Sequence, residues 1–158
     1  MPPEKKQPRI LVLNGPNHNM LGVREPDIYG SATLKDVEAL CRKTAAGLGL
    51  AVDCRQSNNE GELVSWIQKS NKTYQGIVIN AAAYTHTSVA ILDALKIAGL
   101  PVVEVHISHI YAREPFRQKS FISPVAFAFI SGFGIAGYAY AIQGMAERLG
   151  VMSRNKKA

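Results

Sequence analysis

At 158 residues, with 47% apolar and 19% charged side chains, the chain has the size and composition of one ordinary globular domain, large enough to bury a core without disulfides or a structural metal. Its net charge of +6 is concentrated near the ends, where Glu4, Lys5, Lys6 and Arg9 carry +2 and Arg154, Lys156 and Lys157 carry +3, so the middle is close to neutral. No aromatic residues are interleaved with those charges, which argues against a nucleic-acid arm and for flexible, solvated basic tails over about 1–8 and 151–158 of a single domain.

The first apolar run, Ile10-Leu11-Val12-Leu13, has the length and branching of a buried parallel strand. Residues 14–30, NGPNHNMLGVREPDIYG, follow as an aperiodic loop whose Gly, Pro and Asn content argues against a helix. Loops of this length are uncommon in a compact domain unless they are functional, and the carboxyl end of a first parallel strand is where open α/β sheets bind ligands. The loop is therefore expected to be a lid that brings Arg24 and Tyr29 over a pocket.

Residues 33–48 form an amphipathic helix, with Thr33 and Asp36 in a capping arrangement and Gly49 as its stop. A second strand covers 50–56. Asn59 with Glu62 then opens a helix whose inner face is Leu63, Trp66, Ile67 and Ser70. Residues 76–80 are short and apolar, as a central parallel strand should be. Thr87 caps a helix running to Ala98 and Gly99 ends it; a strand over 101–106, a polar loop over 107–118, a strand over 125–131 and a helix over 135–149 complete the chain. Residues 120–146 hold no charge, but Gly132, Gly134, Gly137 and Gly144 break them into strand, turn and helix rather than a membrane span. Cys41 and Cys54 read as small buried hydrophobes outside any metal or redox motif. With no apolar signal-peptide core at the N-terminus, a reducing, cytoplasmic setting is expected.

Five β-α units with short connections imply an α/β fold, a five-stranded parallel sheet covered on both faces. By analogy with other five-unit domains of the flavodoxin-like doubly wound kind, the expected strand order is 2-1-3-4-5. In that order Asn14 to Asn17, Asn80, and His106 to Ser108 line one crevice at the carboxyl ends of neighbouring strands. Alternation puts Glu104 and His106 on one face of their strand, either as a structural pair or as a carboxylate that favours a proton-donating imidazolium. His86, in Thr85-His86-Thr87-Ser88, is a helix entrance or a site residue. Asp93, on an otherwise apolar helix, suits a subunit contact or a site better than a dry core. Arg113 and Arg117 share a face if their loop contains a helical turn; with Arg24 they describe a pocket for a carboxylate, and without it a solvated patch.

Gly132-Phe133-Gly134-Ile135-Ala136-Gly137 matches G-x-G-x-x-G, but it lies in the last β-α unit and no acidic residue follows about twenty positions on. Helix–strand packing is the better explanation of these glycines. Two alternatives to an enzyme of this crevice remain. One is a flavodoxin-like nucleotide- or flavin-binding module, and the other an NAD-dependent oxidoreductase using Gly132 to Gly137.

Asn14-Gly15-Pro16-Asn17, Gly22, Arg24-Glu25-Pro26, Tyr29-Gly30, Gln56-Ser57-Asn58, Glu60-Gly61, Thr85-His86-Thr87-Ser88, Glu104-Val105-His106-Ile107-Ser108, Ala112-Arg113-Glu114 and Phe116-Arg117 together resemble type II 3-dehydroquinate dehydratase, in order and spacing, from about Arg9 to Gly150. The resemblance implies a hydro-lyase that interconverts 3-dehydroquinate and 3-dehydroshikimate by anti elimination through an enolate, in aromatic amino acid biosynthesis or quinate breakdown, with no metal or cofactor. It implies Tyr29 as base, and Arg24 and Arg113 as the cations that make a phenolate tenable; for a free tyrosine near pH 7 that state costs about 4 kcal/mol. It further implies Asn17 as the residue that orients a water on the enolate oxygen, His106 as acid and Glu104 as its partner. Asn80, His86, Ile107, Ser108 and Arg117 match substrate contacts. Asp93 matches a carboxylate that reaches a neighbouring subunit's site, within trimers that assemble into a dodecamer. The chain departs from the usual pattern at His18 and Met20, where leucines are common, at Leu92, where an arginine often stands, and at Gln118-Lys119. His18 is then a second titrating group near the lid or a tolerated substitution.

Overall fold

In the computed structural model, which describes residues 6–151, the strand patterns form β1 (Arg9–Asn14), β2 (Ala51–Gln56), β3 (Gly76–Asn80), β4 (Val102–His106) and β5 (Ala128–Ser131). They make one parallel sheet in the order β2-β1-β3-β4-β5, as expected. The helices are α1 (Pro26–Tyr29), α2 (Leu34–Gly47), α3 (Glu60–Ser70), α4 (Val89–Ala98) and α5 (Ala136–Arg148). None among the described residues is long and apolar enough to cross a membrane.

The period of two along β1 divides the core. Ile10 and Val12 enter a cluster with Val37 and Cys41 of α2 and Ile142 and Met145 of α5. Leu11 and Leu13 enter a second cluster with Leu63 and Ile67 of α3 and Ile91 and Leu95 of α4. Each fully buried side chain of this size contributes about 1.5–3 kcal/mol of transfer free energy, so the two clusters fix which helices lie on which face. Gly76 is needed at the start of β3, because a Cβ there would lie 2.5 Å from the Met145 sulfur.

Local signals held at most helix ends. Thr33 and Asp36 form a reciprocal capping box, and Asn59 accepts from the Glu62 amide at 3.0 Å. Elsewhere the expectations need correction. Ser88, not Thr87, caps α4, with its Oγ 2.9 Å from the Ile91 nitrogen; Thr87 instead closes a 3-10 turn, Ala82–His86. The fifth strand starts only at Ala128, since Pro124 draws the preceding residues into a 3-10 turn, Ser123–Val125. The lid is not free of helix: it holds a 3-10 turn, His18–Met20, and the single turn α1, with Pro26 at the position where its missing N–H costs nothing. Trp66 packs against the same cluster as Leu63 and Ile67, as expected of the inner face of α3, but at its margin: it is half-buried, with the Arg55 guanidinium 5.4 Å from its ring centroid. Cys54 is half-buried because β2 is an edge strand, whereas Cys41 is fully buried.

The ends of the expected tails belong to the fold. The Pro8 carbonyl accepts from Ala51 N–H at 2.8 Å, and Val151 is buried with its N–H on the Ala146 carbonyl. Lys6 and Gln7 are exposed, and residues 1–5 and 152–158 lie outside the described residues.

Candidate active site

Parallel register brings Asn14 opposite Asn80 at the carboxyl ends of β1 and β3, with His106 ending β4 beside them. The chain leaves β1 through Gly15, whose N–H donates to the Asn80 carbonyl at 2.8 Å. A Cβ at this position would stand 2.4 Å from the Ala81 carbonyl oxygen, so only glycine permits the approach. Asn17 follows in the left-handed region, φ 68°, with its N–H on Asn58 Oδ1 at 2.9 Å. Gln56 Nε2 donates to that same oxygen and to the Gly15 carbonyl, and the Tyr84 hydroxyl donates to the Asn58 carbonyl. The lid's root is thereby tied to β2 and to the 3-10 turn after β3.

The lid then presents two cationic contacts to one phenol. Tyr29, at the end of α1, accepts a hydrogen bond from Arg113 Nη1 at 2.9 Å. The Arg24 and Arg113 guanidinium carbons lie 4.6 and 5.3 Å from its ring centroid. Arg113 also donates to Ser108 Oγ at 3.1 Å, which orients its planar fork. Glu25, between Arg24 and α1, has φ 36°, a strained conformation of the kind that collects at functional sites.

On the opposite wall, His106 Nε2 lies 2.5 Å from Glu104 Oε2, with both side chains buried. Ser120 Oγ lies 3.0 and 2.9 Å from the two carboxylate oxygens, and Ser123 donates to Oε1. Burial pushes the Glu104 carboxyl toward the neutral form, but the bonds from His106, Ser123 and Ser120 outweigh it and hold its pKa below the ordinary range. His86 stacks on His106, centroids 6.4 Å apart, and donates from Nδ1 to the Lys119 carbonyl at 2.7 Å. Burial lowers its pKa.

Asn17, His18, Arg24, Tyr29, Asn80, His86, His106, Ile107, Ser108, Arg113 and Arg117 line one crevice with about 520 Å³ of atom-free space, part of it open to solvent. Glu104 stands behind His106 without lining the crevice, and Asp93 projects from the exposed face of α4, away from it. Arg113 and Arg117 both reach the crevice, but not from one helical face: Arg113 is extended between two 3-10 turns, Ile110–Ala112 and Pro115–Gln118. Arg117 is steered by Glu114, 2.7 Å from its Nε.

Sequence reasoning missed the support behind these groups. Tyr138, fully buried on α5, donates to Asn14 Oδ1 at 2.5 Å and accepts from Asn80 Nδ2 at 3.0 Å. Asn80 Oδ1 accepts from the Ala82 N–H, which leaves one amide hydrogen of Asn80 for a ligand. Ser120 and Ser123 had no sequence signal beyond their hydroxyls in an uncharged stretch. Tyr138 stands at helical spacing with Ala141, Ile142 and Met145, a pattern that points to the core and carries no information about its hydroxyl. His18, read as a titrating group or a tolerated change, is 4% exposed, and burial, His106 and Arg24 push its pKa down to about 3, so it does not titrate near neutrality.

The glycine turn after β5 packs against β4. Gly132 and Gly134 donate to the His106 and Ile107 carbonyls, and a Cβ on Gly137 would touch Val105 at 3.4 Å. Those N–H groups are engaged by the sheet and are not turned toward a pyrophosphate. No cluster of three His, Cys, Asp or Glu side chains among the described residues is arranged to hold a metal ion.

A family model described as Dehydroquinase class II matches residues 8–146. A 3-dehydroquinate dehydratase from Rhodopseudomonas palustris (strain BisA53) is 59% identical over 146 residues, 92% of this chain and 97% of the relative. Among solved structures, the type II dehydroquinase from Butyrivibrio crossotus DSM 2876 superposes with a TM-score of 0.86 at 41% identity, covering 90% of this chain and 99% of that one. The type II dehydroquinase from Propionibacterium acnes gives 0.84 at 43% identity, covering 88% and 96%.

Proposed function

The chain belongs to the class II dehydroquinase family, and from that premise we propose that its crevice dehydrates 3-dehydroquinate to 3-dehydroshikimate with Tyr29 as base and His106 as acid. The observation that carries the assignment is the phenol of Tyr29 beside two guanidiniums, across the crevice from an imidazole backed by a buried carboxylate. Arg24 and Arg113 lie where positive charge stabilises a phenolate, the form that removes a proton from the carbon beside the ketone. The electron pair left on carbon moves onto the carbonyl oxygen as an enolate, and Asn17 orients a water there. The enolate then expels the neighbouring hydroxyl, which leaves as water after taking a proton from His106. Glu104 holds the imidazole in place, while Ser120 and Ser123 help to keep Glu104 ionised. Arg117 and the Ile107-Ser108 segment bind the substrate carboxylate, and Asn80 and His86 contact its other oxygens.

Asp93 serves a neighbouring copy of the chain, in trimers that assemble into a dodecamer. Its exposure on α4 beside the exposed Val89 and Ile97 supports this reading, as does its absence from the lining of the crevice. The test is the near-ultraviolet absorbance of the conjugated enone product as 3-dehydroquinate is added, with Tyr29→Phe alongside. Growth in wild type and its near-absence in a folded variant are expected. Equal rates in both would remove Tyr29 from its role, and no product from assembled wild type would overturn the dehydratase reading.

A further inference from the structure

Of the side chains that line the crevice, His18 alone is buried with a polar atom, Nδ1, that finds no hydrogen-bond partner among the described residues. Its place there does not serve the lid's backbone. The 3-10 turn around it is held by main-chain bonds, His18 N–H to the Gly15 carbonyl at 3.4 Å and Leu21 N–H to the His18 carbonyl at 3.2 Å, which any side chain would permit. An unsatisfied buried imidazole in a ligand crevice needs another reason to be polar.

The surroundings specify its chemistry. The ring sits in the fields of His106 and Arg24, and burial together with those two groups keeps it uncharged at neutral pH. A neutral imidazole offers one donor and one acceptor. It has no charge to balance a carboxylate, and the arginines lining the same crevice already supply that. A hydroxyl, itself both donor and acceptor, is the complementary group.

We propose that His18 is a substrate-binding residue that holds a hydroxyl group of the bound hydroxy acid through its neutral imidazole. The proposal rests on the dehydratase reading above. It gives this chain a polar subsite at the lid, next to Asn17, that a leucine at the same position lacks. Because the ring stays neutral in both ground and transition states, it binds the hydroxyl about equally in each, and its effect belongs in KM rather than kcat.

The experiment is steady-state kinetics with 3-dehydroquinate at neutral pH for wild type, His18→Leu and His18→Gln, each checked for assembly and melting temperature. His18→Leu keeps the bulk and removes both ring nitrogens; His18→Gln restores a donor and an acceptor. The expected result is a fall in kcat/KM of about 3- to 10-fold for His18→Leu, the loss of one uncharged hydrogen bond, carried by KM and largely recovered in His18→Gln. In 15N-histidine-labelled wild type, the ring nitrogens assigned to His18 by their absence in His18→Leu should move on adding 3-dehydroshikimate. Unchanged KM in a well-folded His18→Leu would overturn the proposal. So would equal losses in both variants tracking a lowered melting temperature, which would mean a packing role. Inactive wild type would instead overturn the dehydratase reading and this proposal with it.

Discussion

The two walls of the crevice are built on different terms. The wall carrying Tyr29 and Arg24 is a lid of short turns, half-exposed, tied down at its root and at the Arg113 contact. The wall carrying His106 is the end of a central strand, with a buried carboxylate behind it and two serines behind that. The lid group can be altered with little consequence for the fold, because few buried contacts depend on it. The strand group cannot, because the polar atoms that orient His106 also satisfy one another in the interior. Chemistry and stability are separable on one side and joined on the other.

Tyr29→Phe tests the separable side with the largest expected effect. It should lower kcat by roughly 10²- to 10⁴-fold, the range for loss of a positioned base, with a melting temperature within a degree or two of wild type. Enone absorbance and thermal melting read the two quantities, and a large fall in melting temperature would break the contrast. Glu104→Gln tests the joined side. It replaces a full acceptor with a group that cannot receive all of the bonds from His106, Ser120 and Ser123. Both activity and stability should fall, activity by about 10²-fold and stability by about 1–3 kcal/mol in urea unfolding. A stable, inactive variant would show that the strand wall is as separable as the lid.

Gly15 sits where the walls meet, and Gly15→Ala should cost about 1–3 kcal/mol, since the new Cβ meets the Ala81 carbonyl rather than a flexible side chain. Denaturant melts with an unchanged m value would check it. The last effect concerns pH. His18 has a folded pKa near 3, below its ordinary 6.5, so the unfolded chain binds more protons between those values and stability falls as pH drops through that window. His18→Leu removes this contribution. Its urea midpoint should decline less than that of wild type from pH 6.5 to 4, and parallel declines would refute it.

How much of this was legible in the sequence follows the same division. The elements and the residues at strand ends came from periodicities of two and 3.6, which depend on neighbours close in sequence, and the sheet order came from analogy with other five-unit doubly wound domains. Glu104 and His106 were paired by alternation alone. What joined distant parts of the chain was not legible. Tyr138 bonds Asn14 across 124 positions, and Ser120 and Ser123 reach Glu104 from a stretch read as uncharged, with nothing to single out these two hydroxyls. Helix spacing can place Tyr138 on the core face of α5, but spacing has no means of saying where a hydroxyl goes. The lid's two short turns escaped for another reason: each is one turn long, and periodicity needs several turns to register. Thr87 and Ser88 are adjacent and equally suited to capping, and only the preceding 3-10 turn decides between them.

Trp66 is the only tryptophan of the chain, and it lies on α3 against Arg55 rather than in the crevice. The protein therefore carries an intrinsic fluorophore that reports on the α3 face of the sheet. Its emission should shift when the domain unfolds and stay constant as the crevice fills. Ligand titrations by tryptophan emission will look silent even when binding is tight, whereas unfolding curves can be recorded at any ligand concentration without optical interference. A tryptophan introduced at the exposed lid residue Val23 would add the missing channel, so that closure and unfolding could be followed in one sample.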